Sequence, residues 1–376
     1  MKRLLLAGGG HAHVHVLHSL AERPLDGVDV TLVTPFERQM YSGMVPGLVA
    51  GHYRTDDCVI PLPGLASAAG AEFVRGQIVA LDAAARRVRL DDGRAIDYDL
   101  LSLDTGPVMD RDALPGASAH GLFVRPIEHF VTSFEQLLAT ARAGPLKVAV
   151  IGAGAAGVEL ALALSWRLGP THSVLLVSGD VEPLDGFAAG VRRRAVAALG
   201  RRGITVLATA CTAVAADHVQ LANGARVPCD VALVSIGASA PAWLAGSGLA
   251  LDARGFVATG PTLQSRSHSE VFAAGDVATR TDAPHPKSGV YAVRAGPPLA
   301  GNLRAWLAGS ALARYTPQRR TLYLLSLGEQ RAIASWGLWA AEGRWVWRWK
   351  DRIDRRFIAR YTAVDTAPGG ATVAGS

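Results

Sequence analysis

The sequence predicts an α/β protein with two Rossmann-like domains, followed by a C-terminal α+β segment. Two glycine-rich turns predict this class, Gly8-Gly9-Gly10-His11-Ala12-His13 and Gly152-Ala153-Gly154-Ala155-Ala156-Gly157. Each turn follows a short apolar strand and opens an Ala- and Leu-rich helix, which is the order of elements that begins a doubly wound parallel sheet. The chain has 376 residues, enough for two or three domains with complete cores.

The elements before the first linker follow from short apolar runs and turn residues. They are predicted as a strand at 2–7, a helix at 11–22, a strand at 28–34, short strands within 71–90 and a strand at 98–105. Pro107, Pro115 and Gly116 then mark a linker.

A second α/β block follows the linker and closes near Pro241. Its predicted elements are a helix at 130–142, a strand at 146–151, a helix at 155–167, a strand at 173–178, a helix at 191–202, strands within 204–222 and a strand at 231–236. Beyond it we predict a strand and turn at 271–276, a helix at 290–307 interrupted by Pro297-Pro298, β runs from 316 and a final Trp- and Arg-rich helix.

Composition places the chain among ordinary globular proteins, with 49% hydrophobic and 19% charged residues. Cys58, Cys211 and Cys229 are widely spaced, which argues against a disulfide framework or a zinc cluster and indicates a reducing compartment. No secretory signal is visible, and no apolar run approaches the roughly 18–20 residues that span a bilayer. We therefore expect a cytoplasmic protein.

The second glycine turn matches a dinucleotide site at every glycine. Gly152 allows the tight turn, Gly154 lets the backbone approach a pyrophosphate, and Gly157 allows close packing of helix on strand. The helix N-terminus then offers free N–H groups to the phosphates. Ser178 stands where a ribose-binding carboxylate usually ends the next strand, and no arginine beside it could hold a 2′-phosphate, so NAD is slightly favoured over NADP.

The first glycine turn departs from this pattern. His13 replaces the third glycine, and the next strand ends at Thr34 without a carboxylate. The assignment of this turn to a dinucleotide therefore depends on a distant element, the strand and turn that end in Gly275-Asp276.

These motifs, together with residues 98–106, resemble the flavoproteins that bind two dinucleotides, the pyridine nucleotide–disulfide oxidoreductases. The resemblance covers about residues 1–310 and implies an FAD-binding domain at 1–110 and 241–312 that is interrupted by an NAD(P)H-binding domain at 111–240. It implies that FAD is held by Gly8, Gly9, Gly10, His11, His13, Thr34, Thr105, Gly106, Gly275 and Asp276. It implies that NAD(P)H, the substrate, is held by Gly152, Gly154, Gly157 and Ser178.

Cysteine usage selects a branch of this superfamily. Disulfide reductases and sulfide–quinone reductases need paired cysteines, which this chain lacks, so it resembles the type II NADH dehydrogenases that pass electrons to a quinone-like acceptor. Residues 41–47, 51–53 and 345–351 also resemble the NADH dehydrogenase-like domain that some organisms fuse to selenophosphate synthetase. Two alternatives remain open, a soluble reductase in selenium or sulfur metabolism and a non-catalytic FAD-binding regulator.

Two residues are predicted to act in catalysis. By resemblance, Glu159 would approach the nicotinamide and the flavin, and Lys287 would place a cation beside the flavin pyrimidine. Val290 and Arg294 stand where type II dehydrogenases carry two glutamines at the quinone site, so a quinone head group would be held differently here. We predict no metal site, although several histidines share the first helix.

The C-terminal segment, 313–365, is predicted to form an interface, and 366–376 a disordered tail. At about four-residue spacing it carries the aromatic and apolar side chains Trp345, Trp349, Ile353, Phe357 and Tyr361, with arginines on other faces. A helix over 344–361 of this kind suits an anionic membrane surface, and equally suits packing on the core or on a second copy in a homodimer. No nucleic-acid-binding module accompanies the basic residues.

Overall fold

A computed structural model describes residues 1–363, so the predicted tail and the last two residues of the predicted interface segment lie outside the described residues. The first 110 residues fold into β1 (Lys2–Ala7), α1 (His11–Glu22), β2 (Val28–Thr34), β3 (Arg38–Met40), α2 (Val45–Val49), β4 (Val59–Pro61), α3 (Leu62–Ala68), β5 (Ala71–Arg75), β6 (Ile78–Asp82), β7 (Arg87–Leu90), β8 (Ala95–Asp97) and β9 (Leu100–Leu103). The strand predicted at 98–105 is thus shorter than expected.

The second block again alternates strands and helices. It consists of α4 (Ala117–His120), β10 (Gly121–Phe123), α5 (Ile127–Ala143), β11 (Lys147–Ile151), α6 (Ala155–Leu168), β12 (Ser173–Val177), α7 (Ala189–Arg201), β13 (Thr205–Leu207), β14 (Cys211–Val214), β15 (His218–Leu221), β16 (Arg226–Pro228) and β17 (Val231–Val234).

The chain then returns to the first sheet and ends in a small sheet and a helix. These elements are β18 (Val257–Thr259), β19 (Val271–Ala273), β20 (Ala278–Arg280), α8 (Gly289–Leu307), β21 (Leu322–Ser326), β22 (Ala332–Trp336), β23 (Trp339–Gly343) and α9 (Arg344–Thr362).

Two five-stranded parallel sheets organise the molecule. The first has the order β19-β9-β1-β2-β5, so β19 joins it from a point in the chain far beyond the second sheet. The second has the order β10-β17-β11-β12-β13. In each sheet a glycine turn follows a central strand, β1 or β11, and leads into a helix. This arrangement confirms the predicted α/β class with two Rossmann-like units.

The helix predicted to break at Pro297-Pro298 is continuous. Helix α8 runs through both prolines from Gly289 to Leu307 and packs along α1. A Cβ at Gly296 would lie 2.7 Å from the Cβ of His15, so glycine permits this close helix pairing. Packing on α1 therefore outweighs the backbone hydrogen bonds that the prolines remove.

The C-terminal sheet β21-β22-β23 is antiparallel and lies between α7 and α9. The tight turn between β22 and β23 exposes Trp336, Leu338 and Trp339. Within residues 1–363, no helix is both long and apolar enough to cross a membrane.

Candidate functional site

The first glycine turn closes around a buried carboxylate. A Cβ at Gly8 would lie 2.5 Å from the Asp104 carbonyl oxygen, and Cβ atoms at Gly10 and Gly275 would overlap the Asp104 side chain. The Asp104 carboxylate accepts the N–H groups of Ala12, at 2.8 Å, and His13, at 3.0 Å. Burial, with a smaller contribution from the charge of Asp276, raises the pKa of Asp104 to about 7, against the lowering effect of these two hydrogen bonds. The three glycines therefore pack closely around Asp104, and a side chain at any of them would displace it.

His13 is fully buried and bridges the turn to the neighbouring strand. Its Nδ1 lies 2.6 Å from the Gly8 carbonyl oxygen, and its Nε2 lies 2.8 Å from the Ser102 hydroxyl of β9. Burial lowers the pKa of the ring to about 4, so the imidazole is neutral at pH 7. Both ring nitrogens are used inside the protein, so the ring braces the turn. This differs from the role suggested by the sequence, in which His13 would offer a polar atom to FAD.

Restoring the missing glycine should weaken the protein. In His13→Gly the loss of a buried ring and two hydrogen bonds is expected to lower the free energy of unfolding by at least about 2 kcal/mol, and to reduce the FAD retained on purification. Ser19→Gly carries only the helix cost of glycine relative to serine, about 0.5 kcal/mol, and serves as the control in urea unfolding. A His13→Gly protein as stable as Ser19→Gly would contradict the bracing role.

The other residues predicted to hold FAD surround this turn. The Thr34 hydroxyl oxygen would lie 3.5 Å from a Cβ at Gly9. Gly106 has a φ of +71°, so the Thr105-Gly106 turn needs glycine there. His11 begins α1 and lies beside Tyr41 and Phe357, with ring centroids 5.5 and 5.9 Å away. Its pKa is lowered to about 4, by burial and by the charge of Arg125.

Asp276 lies next to the same turn and faces positive charge. It is buried, and its Oδ2 is 3.5 Å from the Arg125 guanidinium. Burial raises the pKa of its carboxyl, against the charges of Arg125 and Lys287. Asp276, Gly275 and the first glycine turn therefore meet at one edge of the first sheet, at the ends of β1, β9 and β19, where a doubly wound fold places its ligand. These residues fit FAD.

Lys287 has a different setting from the one the sequence suggested. Its ammonium donates to the Ala278 carbonyl and, at 2.9 Å, to the Thr279 hydroxyl, and it lies 3.8 Å from the ring centroid of Phe256. Burial lowers its pKa to about 8, although Asp276 acts in the opposite direction. These contacts tie the segment before α8 to β20, and they do not provide a free cation for a flavin.

The second glycine turn has the geometry that the sequence predicts. Gly152 has a φ of +105°, and a Cβ there would overlap the Ser235 carbonyl oxygen. A Cβ at Gly157 would overlap the Gly152 carbonyl oxygen, so α6 lies directly on the turn. At Gly154, by contrast, a Cβ would meet no heavy atom of the described structure within 4 Å. The cradle is thus open at Gly154, as the approach of a pyrophosphate requires.

Ser178 lies at the end of β12 as predicted, but its hydroxyl faces the backbone. It is buried and donates, at 3.3 Å, to the carbonyl oxygens of Gly179 and Leu207. The nearest ion pair in the following loop joins Glu182 to Arg192 at 2.7 Å. The side chain of Ser178 therefore stabilises the strand end instead of projecting toward a ribose.

Glu159 belongs to a buried charged cluster that also contains residues of α9. Its Oε1 accepts the N–H of Ser326 at 2.7 Å, which joins α6 to β21. Burial raises the pKa of Glu159 to about 7, while the nearby charge of Lys350 lowers it. The Lys350 ammonium in turn lies 2.6 Å from Asp354 Oδ2 and donates to the Gly43 carbonyl at 2.5 Å.

Tyr41 extends this cluster toward the first glycine turn. Burial and the Asp354 carboxyl raise the pKa of its phenol. Its ring stacks on Phe357, with centroids 4.3 Å apart, and lies beside His11. Buried groups that can hold protons therefore connect α6 and α9 to the start of α1.

A cleft of about 870 Å³ opens beside this cluster, between α8 and α9. Its walls combine aromatic and cationic side chains, among them His15, Arg294, Tyr315, Trp349, Arg352 and Phe357. Arg294, one of the two residues that replace the family's glutamines, is therefore placed at this cleft.

Helix α9 carries both apolar and charged side chains on its exposed side and on its buried side. Trp345, Trp349 and Ile353 are 52%, 38% and 40% exposed, and arginines 348, 352, 356 and 360 share the exposed side. The buried side carries Val346, Lys350, Asp354, Ile358 and Tyr361. The series of large side chains predicted along this helix is thus divided. Its first three members face solvent, while Phe357 and Tyr361 contact His11 and His15 of α1.

The three cysteines are free thiols, and burial raises the pKa of Cys58 to about 12 and of Cys229 to about 11. Within residues 1–363, no three or more His, Cys, Asp or Glu side chains are grouped to hold a metal ion.

Sequence reasoning missed four residues of the site: Asp104, Arg125, Lys350 and Asp354. Asp104 stood inside the motif at 98–106, where an acid before Thr105-Gly106 was a usable signal. Lys350 and Asp354 had the i, i+4 spacing of a helical ion pair, which the arginines around them concealed. Arg125 carried no local signal, because its partner Asp276 is distant in sequence.

Comparisons with known proteins agree with this geometry. The family described as pyridine nucleotide-disulphide oxidoreductase matches residues 2–296. The chain is 27% identical over 351 residues to demethylphylloquinone reductase NdbB of Synechocystis sp., covering 89% of this chain and 86% of that protein. It is 30% identical over 310 residues to an NADH dehydrogenase-like protein of Mycobacterium tuberculosis, covering 76% and 75% of the two chains.

Two solved structures share the fold. NDH2 from Plasmodium falciparum in complex with NADH has a TM-score of 0.81 at 11% identity and covers 97% of both chains. The sulfide:quinone oxidoreductase from Aquifex aeolicus has a TM-score of 0.78 at 19% identity and covers 98% of this chain and 93% of that one. The chain therefore belongs to the pyridine nucleotide-disulphide oxidoreductase family, as an FAD-dependent NAD(P)H oxidoreductase of its NADH dehydrogenase-like branch.

Proposed function

We propose that this protein oxidises NAD(P)H and passes the electrons through FAD to a quinone-like acceptor. One observation carries this proposal. The buried cluster of Glu159, Lys350, Asp354 and Tyr41 lies between the two glycine turns and borders the aromatic cleft between α8 and α9. Quinone reduction by this chain is supported by its relative NdbB, whose name specifies a demethylphylloquinone reductase, and by an alternative NAD(P)H-ubiquinone oxidoreductase of Arabidopsis thaliana that is 26% identical over 321 residues.

The roles of the residues follow from their positions. We assign FAD to the first sheet, within 1–110 and 241–312, and NAD(P)H to 111–240. Gly8, Gly10 and Gly275 pack against Asp104 and so close the first turn at the sheet edge where we place the FAD phosphates, whereas Gly154 leaves room for the pyrophosphate of NAD(P)H. FAD supplies the two-electron carrier between the nicotinamide and the acceptor. The protein's contribution is to position the two dinucleotides and to exclude water between them.

The acceptor side of the site needs protons, because a quinone takes up two protons with two electrons. Glu159 and Tyr41 are buried groups that can hold protons, with Lys350 and Asp354 between them. The cleft between α8 and α9 has the size and aromatic walls of a small-molecule site and lies next to this cluster. We assign the quinone-like acceptor to this cleft.

An anaerobic titration tests the activity. Purified yellow protein should bleach on addition of NADH and recover its colour when a soluble quinone is added. NADPH in place of NADH determines the nucleotide preference. Protein that keeps FAD but does not bleach with either nucleotide would support a regulator, and bleached protein that only other acceptors reoxidise would rule out the quinone.

The exposed face of α9 supports docking at the cytoplasmic face of a membrane. Tryptophans and arginines on one helical face suit an interface that carries anionic lipids. Replacing Trp345, Trp349 and Ile353 together by serine is expected to lower flotation with anionic vesicles at least about tenfold. The matched control replaces two exposed valines on the second domain, Val181 and Val196, by serine. Equal flotation of both variants would remove the docking role.

We also propose a partnership with selenophosphate synthetase. The motifs that suggest it, at 41–47 and 345–351, contain Tyr41, Gly43 and Lys350, which meet in the buried cluster. Copurification of the synthetase with this protein at physiological salt tests the partnership, and its absence from the complex would count against it.

A further inference from the structure

A pocket rich in arginine lies far from both glycine turns. It has a volume of about 740 Å³ and is lined by Trp166 at the end of α6, Arg201 and Arg202 at the end of α7, Glu329 and Arg331 in the turn between β21 and β22, and Arg344 at the start of α9. Twelve residues of α6 separate Gly154 from Trp166, which corresponds to about 18 Å along the helix. The pocket is therefore separate from the NAD(P)H turn.

The charges of the pocket do not balance. Glu329 pairs with Arg202 at 3.0 Å, and Glu342 pairs with both Arg201 and Arg331, at 3.0 and 2.9 Å. Arg344 takes part in no ion pair among the described residues. Four guanidinium groups face two carboxylates, so the pocket keeps a net charge of about +2 at neutral pH.

The shape of the pocket also suits an anion. The Arg202 guanidinium lies 4.5 Å from the ring centroid of Trp166, and that ring is 42% exposed. The contact with the ring and the ion pair with Glu329 restrain the Arg202 side chain, and a restrained guanidinium donates well to phosphate oxygens. A network built only to fasten the C-terminal sheet to α7 would need neither the exposed ring nor the unpaired Arg344.

We propose that this pocket is a binding site for a phosphate group with two negative charges. The group could come from a soluble pyrophosphate-like compound or from the headgroup of a phosphomonoester lipid, because Arg344 is followed directly by the exposed Trp345 of the proposed docking face. The phosphate site is independent of the proposed electron transfer, and only its lipid source rests on the proposed docking of α9.

Calorimetry with inorganic pyrophosphate tests the site in the full-length, FAD-loaded protein. Excess NAD⁺ is present so that the second glycine turn is occupied. Arg344→Gln breaks no ion pair of the structure and should weaken binding about tenfold. Glu329→Gln removes a competing negative charge and should tighten binding severalfold. Arg266→Gln, an exposed arginine without an ion pair in the described structure, is the control and should bind as the wild type does.

Vesicles of phosphatidylcholine that contain phosphatidic acid or, at equal charge, phosphatidylserine separate the two sources. A preference for phosphatidic acid that Arg344→Gln abolishes and pyrophosphate competes away assigns the lipid. Pyrophosphate binding with no such preference assigns the soluble compound. The site is disproved if pyrophosphate binds the wild type and Arg344→Gln equally, or binds neither. Flavin bleaching by NADH should be the same in all these proteins, so a failure of bleaching would count against the proposed function alone.

Discussion

Replacing Gly154 by alanine is expected to raise the KM for NADH about 10- to 100-fold while leaving the fold and the bound FAD unchanged. The added methyl group meets no protein atom within 4 Å, so its effect must fall on a ligand that approaches this backbone. A pyrophosphate displaced by about 1 Å loses a hydrogen bond to the backbone of the turn, and a hydrogen bond to a charged group is worth about 1.5–3 kcal/mol, or about 10- to 100-fold in affinity. Stopped-flow measurement of flavin bleaching at several NADH concentrations gives the result.

Two other glycines make this test specific. Gly144→Ala also places a methyl group where no protein atom lies within 4 Å, but ahead of β11, and should behave as the wild type. Gly157→Ala forces α6 away from the Gly152 carbonyl and should lower the free energy of unfolding by about 1–3 kcal/mol. If Gly154→Ala bleached at wild-type NADH concentrations, the second turn would not be the nicotinamide dinucleotide site.

Replacing Lys350 by methionine is expected to destabilise the protein by about 3–5 kcal/mol. The substitution leaves Asp354, which is 4% exposed, without its cation inside the protein, and an unpaired buried charge has a cost of this size. It also removes the bond to the Gly43 carbonyl. Urea unfolding at pH 8 measures the loss, and Lys147→Met, at an exposed position, is the control.

The pH dependence of the Lys350→Met protein shows whether the unpaired Asp354 carboxylate causes its loss of stability. Burial already raises the pKa of Asp354, and the loss of Lys350 raises it further. A carboxyl whose pKa is higher in the folded state destabilises the fold when it is ionised, so the loss should shrink as the pH falls and Asp354 takes up a proton. Replacing Asp354 by leucine in the Lys350→Met protein should also restore most of the stability, because no charge then remains buried. A loss that is constant with pH and persists in the double variant would show that only packing was damaged.

The parts of this fold that were predictable are those specified within a short window of sequence. The glycine turn at Gly152 and the helix after it were identified because each glycine has its own local reason to be there. The role of His13 was not predictable, because the ring's second partner, Ser102, lies on a strand some ninety residues later. The continuity of α8 through Pro297 was missed for the same reason, since its packing on α1 is a tertiary effect.

Helix α9 shows how a correct pattern can be incomplete. The spacing of Trp345, Trp349 and Ile353 predicted an amphipathic helix, and the helix is present at Arg344–Thr362. Periodicity alone could not determine which face turns inward, because the ion pair Lys350–Asp354 is buried beside apolar residues while the tryptophans lie outside among arginines. Which face of the helix turns inward is decided by the interactions of Lys350 with Gly43 and Glu159, which lie on distant elements.

The buried ion pair of α9 makes the length of the C-terminal segment as important as its composition. One residue inserted in α9 ahead of Trp349 would rotate the remainder of the helix by about 100°, and would bring Trp349 to the interior position that Lys350 now occupies. The charged pair would then face solvent and the indole would face the Gly43 carbonyl. Among homologues, insertions and deletions should therefore be rare between Gly343 and Tyr361, whereas single substitutions on the outer face should be common. An alignment gap in that interval would mark a relative in which the face of α9 that packs on Gly43 is built from different residues.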